Sequence, residues 1–170
     1  MSLLGRKFLS RRSRSRKRPG ALSPLSFELA ESIGILYTWE DKAKEAEVNQ
    51  FIDSISEGRN ISCLCFNEDK NNSPETQHPI FDFSQLSMLG NIESTETNQF
   101  LQKPFNYLFH LDLELNETCQ ALLSTSQAQY RVGLHTEEGE KFYELMIGIN
   151  KSAGLHNFAG QMLKYVNAMK

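Results

Sequence analysis

The sequence predicts an α/β domain of three layers, Rossmann-like or flavodoxin-like, with a mostly parallel sheet of four to six strands and a basic N-terminal arm. Three observations carry this. An apolar run at residues 33–37, a helical pattern over residues 42–55 and a second apolar run at residues 61–66 follow one another. That succession is a βαβ unit, whose strands pair in parallel. Strand-like and helix-like segments then keep alternating to the end of the chain, as a layered α/β domain requires. The chain has 170 residues, 39% of them hydrophobic, which is enough for a single core over about 140 residues beyond the arm.

The elements follow in order. Residues 1–26 read as an arm and linker, ended by Pro19, Gly20 and Pro24, and residues 27–170 as the domain. Ile33, Ile35, Leu36 and Tyr37 form a continuous apolar strand suited to cover on both faces. Ala43, Ala46, Val48, Phe51, Ile52 and Ile55 recur at helical spacing, and Gly58 is a natural stop. Residues 61–66 read as the next strand, with Cys63 and Cys65 on one side and Leu64 on the other. A polar loop at 67–79 precedes a short strand at 80–83. Residues 94–102 form a short helix with an acidic first turn, ended before Pro104. Residues 105–111 are the strongest strand of the second half. Asn116 is placed to cap a helix over 118–127. Residues 130–134 form another strand, 145–149 a short edge strand, and 155–169 a closing amphipathic helix.

Charge is divided unevenly along the chain. Arg6, Lys7, Arg11, Arg12, Arg14, Arg16, Lys17 and Arg18 precede the first acid, Glu28. These eight are nearly half of the 18 Lys and Arg, while all 21 Asp and Glu share the remainder with the other ten bases. A tail near +8 is thus attached to a body near −11, although the net charge is −3. Such a tail seeks polyanions, and an acidic globule does not. Flexible Arg and Lys neutralise phosphates and release counterions, and the arginine excess favours bidentate phosphate contact and base stacking. The expected partner is RNA or a ribosomal particle. Leu3, Leu4, Phe8 and Leu9 also allow contact with an anionic membrane surface. A solubility tail and an organellar transit peptide are the competing readings.

No apolar run approaches the 18–20 residues or so that a spanning helix needs. The arm lacks the apolar stretch of a secretory signal. Cys63, Cys65 and Cys119 are odd in number, which indicates a reducing, cytoplasmic setting.

The segment Phe105-Asn106-Tyr107-Leu108-Phe109-His110-Leu111-Asp112, then Ala121-Leu122-Leu123-Ser124, then Gln127-Ala128-Gln129-Tyr130-Arg131-Val132-Gly133, resembles a family of small uncharacterised proteins from Bacteroidota, the DUF6913 proteins. The resemblance implies a basic arm, an early IGIL-like strand and a closing helix rich in Phe and Leu. It implies no catalytic residues. The strand ending in Leu111-Asp112, the helix with Ala121-Leu122-Leu123 and the segment Ala128 to Gly133 are also similar to the N-terminal half of heptosyltransferase-type glycosyltransferases. That similarity implies a sugar-nucleotide or nucleotide-binding domain, catalytic or not.

The signatures of chemistry are mostly missing. Thr38-Trp39-Glu40-Asp41 follows the first strand, with two carboxylates and no glycine where a phosphate cradle needs glycine and no negative charge. No P-loop and no nucleophile elbow occurs. No catalytic residue, cofactor or metal is therefore expected, and the protein reads as a binding protein more than an enzyme. Thr38, Asp112 and Glu114, at strand ends where α/β sites assemble, are the candidate ligand site. Asp112 and Glu114 at spacing two would face one side if extended, with a solvated strand end as the bland reading. His110 reads as a hydrogen-bonded core or boundary histidine, and Cys119 as an inert thiol with no histidine near it in sequence order.

Overall fold

The computed structural model describes residues 26–69, 71, 73–88 and 90–169. Six strands form one sheet: β1 (Ser32–Thr38), β2 (Asn60–Asn67), β3 (Ile80–Asp82), β4 (Tyr107–His110), β5 (Tyr130–Leu134) and β6 (Leu145–Ile147). Every pairing is parallel, and the strand order is β3-β2-β1-β4-β5-β6. This is the order of the doubly wound dinucleotide-binding fold, in which the chain winds outward in both directions from β1. The switch of direction falls between β1 and β4. Ligands of such folds sit beyond the carboxyl ends of those two strands.

Among the described residues, four α-helices cover the sheet: α1 (Lys42–Ile55), α2 (Thr95–Gln102), α3 (Glu117–Thr125) and α4 (Gly154–Ala168). Strand alternation sorts the core into two layers. Ile33, Ile35, Tyr37, Tyr107, Phe109 and Val132 point toward α1 and α4, where Val48, Phe51, Phe158 and Met162 meet them. Leu36, Leu64 and Leu108 point the other way, against Phe100, Leu101, Leu122 and Leu123 of α2 and α3. Both faces are thus buried, which explains why the central strands read as unbroken apolar runs. As expected, Cys63 and Cys65 face one layer and Leu64 the other.

The helix starts are capped by their own sequence. Asp41, Ser94 and Asn116 each accept a hydrogen bond from the backbone N–H three residues on, each worth about 1 kcal/mol. After α1, Gly58 takes the left-handed φ of +70°, open to glycine without strain. The apolar face of α1 differs from the expected one. Ala43 and Ala46 are exposed, and the buried stripe is Lys44, Val48, Phe51 and Ile55. The larger side chains set the helix rotation, since two alanines offer little area to bury, and that rotation carries Lys44 inward. Among the described residues, no helix is long and apolar enough to cross a membrane.

Gly133 has a packing role. A β-carbon there would overlap the Tyr143 ring, which lies directly over it. Gly133→Ala is expected to lower stability by about 1–3 kcal/mol, the usual cost of forcing extra volume into a packed core. Urea denaturation measures it; an unchanged midpoint would show that the ring moves aside freely.

Candidate functional site

Beyond the carboxyl ends of β1 and β4 the chain assembles a buried polar cluster around Asp112. The alternation Leu108, His110, Asp112 sends all three side chains toward the layer of α2 and α3. Asp112 lies two residues past the end of β4 and is 3% exposed. Its carboxylate accepts from the Thr38 backbone N–H (2.9 and 3.1 Å), from Thr38 Oγ1 (2.8 Å) and from Lys44 Nζ (2.6 Å). The Lys44 ammonium also bonds Glu40, whose carboxylate reaches back from solvent. On the other side, His110 Nε2 approaches Asp112 Oδ2 to 2.9 Å, out of line with the ring N–H axis. His110 Nδ1 hydrogen-bonds the Tyr143 hydroxyl at 2.7 Å. A continuous chain therefore runs Glu40–Lys44–Asp112–His110–Tyr143, crossing the switch point from one layer to the other.

Burial and neighbouring charge compete at each member. Burial would raise the Asp112 pKa, but His110 and Lys44 beside it outweigh this and hold the carboxyl below its ordinary range. Burial would lower the Lys44 pKa, but Asp112 and Glu40 keep the ammonium charged and its pKa raised. Burial opposes the imidazolium of His110, yet the electronegative field of Tyr143, Cys119 and Asp112 raises its pKa well above the usual value. Burial pushes the Tyr143 phenol up, and His110 offsets part of that. The thiols of Cys63 and Cys65, on the opposite layer, are pushed by burial up to about 12 and about 11 and are therefore unreactive.

Two clefts flank this cluster. One, of about 550 Å³, opens toward α1 and α4 and is walled by Glu40, Asp41, Glu47 and Glu114. The other, of about 420 Å³, opens over the first turn of α3 and is walled by Glu68, Glu117 and Glu138. Lys44 is the sole base among the described residues that line them, and it is committed to Asp112 and Glu40. Asp41 occupies the N-terminus of α1, where the dinucleotide-binding fold places a pyrophosphate. An anionic ligand there would meet carboxylates in place of free amides.

Residues 3–169 match the model of a family described as a family of unknown function, DUF6913. The chain belongs to that family. No curated protein and no solved structure shows a significant match to it. In this DUF6913 protein the candidate residues divide. Thr38 and Asp112 are brought together as direct hydrogen-bond partners. Glu114 is not: β4 ends at His110, the chain bends at Leu113 and Glu114, and Glu114 is left exposed on the larger cleft. The expected same-side pair of Asp112 and Glu114 thus does not form, and Asp112 is no solvated strand end. Cys119 does have a histidine near it, because the fold brings His110 to the same pocket from a different element. The basic residues Arg6, Lys7, Arg11, Arg12, Arg14, Arg16, Lys17 and Arg18 lie outside the described residues.

Sequence reasoning missed Lys44 and Tyr143. Lys44 had a legible signal: it precedes Val48, Phe51 and Ile55 at intervals of four, three and four, so it occupies an apolar-stripe position while carrying a charge. Tyr143 had only its distance of ten residues from Gly133 in sequence, which reveals nothing until the ring is seen over the glycine.

Proposed function

We propose that this DUF6913 protein is a non-enzymatic, cytoplasmic RNA-associated protein that holds its partner through the basic arm, while the acidic α/β body faces solvent or a protein partner. The observation that supports this most is where the fold spends its carboxylates. Asp41 caps α1, Asp112 takes Lys44, and seven glutamates and aspartates wall the two clefts at the carboxyl end of the sheet. The position that serves phosphate in related architectures is thereby made repulsive to phosphate. The chain's other concentration of charge, residues 6–18, is the feature suited to a phosphate-bearing polymer. The cytoplasmic setting rests on the odd cysteine count, and an origin in Bacteroidota on the resemblance given above.

The experiment is recovery of RNA, or co-sedimentation with ribosomes, at low salt from cells expressing the full chain or a chain lacking residues 1–18. The full chain is expected to carry RNA and the shortened chain to lose it. Equal behaviour of the two would refute the proposal. The competing reading, a sugar-nucleotide or nucleotide-binding glycosyltransferase-like domain, draws support from the strand order β3-β2-β1-β4-β5-β6. The acidic lining of both clefts weighs against it, and a thermal shift with sugar nucleotides would revive it.

A further inference from the structure

We propose that His110, Asp112 and Cys119 form a buried binding site for a divalent transition metal of the zinc class, with Thr38 Oγ1 at the fourth corner. The histidine nitrogen, a carboxylate oxygen and the cysteine sulfur all lie within 4.8 Å of one another. The three residues are 0%, 3% and 0% exposed. Thr38 Oγ1 completes the set, 2.8 Å from Asp112 Oδ2 and 3.6 Å from Cys119 Sγ. A tetrahedral ion with bonds of ~2.0–2.3 Å places its ligand atoms roughly 3.3–3.8 Å apart. The separations of the three protein ligand atoms therefore need to change by about 1.5 Å or less to close on one ion.

An independent observation points the same way. His110 Nε2 is buried and has no hydrogen-bond partner in line with it. A buried ring nitrogen whose 2.9 Å contact to Asp112 Oδ2 is badly aligned keeps part of its desolvation cost, and a cation at the centre of this cluster would satisfy it. The surrounding contacts are those a metal centre uses to fix its ligands. His110 turns its other nitrogen to the Tyr143 hydroxyl, so a ligating Nε2 leaves an Nδ1–H that Tyr143 accepts. Lys44 holds Asp112 Oδ1, which leaves Oδ2 to the cluster. Cys119 sits in the first turn of α3, which fixes its sulfur beside β4.

Mixed nitrogen, sulfur and oxygen donors select zinc-class ions over magnesium or calcium, which take oxygen ligands. On binding, the Cys119 S–H bond and the His110 Nε2–H bond break, metal–sulfur and metal–nitrogen bonds form, and both protons leave to solvent. With His110, Asp112 and Cys119 all buried, the role is structural, tying β4 to α3 across the switch point.

Cobalt(II) is the probe. The full chain, stripped with a chelator and dialysed, is titrated with cobalt. One ion per chain is expected, with a thiolate-to-cobalt charge-transfer band and the intense visible bands of a tetrahedral site, all displaced by added zinc. Cys119→Ser is expected to abolish the charge-transfer band, and His110→Gln to weaken binding at least about tenfold. A chain carrying Cys63→Ala and Cys65→Ala keeps Cys119 as its only thiol and is expected to retain the band, which preserves the test if Cys119→Ser fails to fold. A folded wild-type chain with no thiolate band overturns the proposal. So does a band that vanishes in a folded Cys63→Ala/Cys65→Ala chain.

Discussion

Asp112→Ala is expected to destabilise the domain by about 3–5 kcal/mol, the range for removing one partner of a buried ion pair. The substitution leaves the Lys44 ammonium, 9% exposed, with only the solvent-facing Glu40, and leaves His110 beside no anion. It also strips the Thr38 backbone N–H and hydroxyl of their acceptor. Asp112→Asn keeps the shape and a hydrogen-bonding oxygen but removes the charge, so it should recover part of the loss. Chemical denaturation with chelator present reads this charge network alone, free of any bound metal. A loss under about 1 kcal/mol would mean that water enters the cluster readily and that the buried chain from Glu40 to Tyr143 is not a structural unit. The double variant Lys44→Met with Asp112→Leu replaces both partners by apolar volume. It should cost less than Asp112→Ala, because the penalty lies in the orphaned charge more than in the lost attraction.

The second large effect is on RNA affinity. A single strand bound by Z cations loses affinity with salt at a logarithmic slope of roughly −0.7Z. If all eight arm cations engage, the slope is about −5 to −6, and affinity falls roughly a thousandfold between 50 and 200 mM salt. Removal of residues 1–18 takes away that entire contribution. The remaining body carries ten bases against 21 acids, so binding should drop by at least about a hundredfold at low salt. Fluorescence anisotropy of a labelled RNA over a salt series gives both numbers. A shortened chain that keeps a steep slope would place the phosphate contacts on the body.

How much of this was legible in the sequence differs from element to element. The central strands and α1 were readable because burial on both faces demands continuous apolar runs and because one helix turn fixes its own cap. Asn116 announced one helix start, and Asp41 and Ser94 cap two others in the same way. Strand order was not readable, since a parallel pairing tells only that two strands neighbour each other, not on which side the next one lands. The site was half readable. Thr38 and Asp112 could be placed at strand ends, but their direct bond spans 74 residues. The inward turn of Asp112 depends on Lys44, whose burial follows from the rotation that Phe51 and Ile55 impose on α1. The approach of Cys119 to His110 had no local signal at all, because α3 delivers one and β4 the other. Glu114 was placed on the wrong side because extended-strand periodicity was carried four residues beyond the actual end of β4.

The claim that phosphate is held by the arm, and kept away from the carboxyl-end clefts, is tested most directly by ultraviolet crosslinking of the full chain to RNA followed by peptide mass mapping. Nucleotide adducts are expected within residues 1–18. Adducts concentrated instead on residues 38–44 and 112–120 would contradict it, since RNA would then lie against the carboxylates said to repel it.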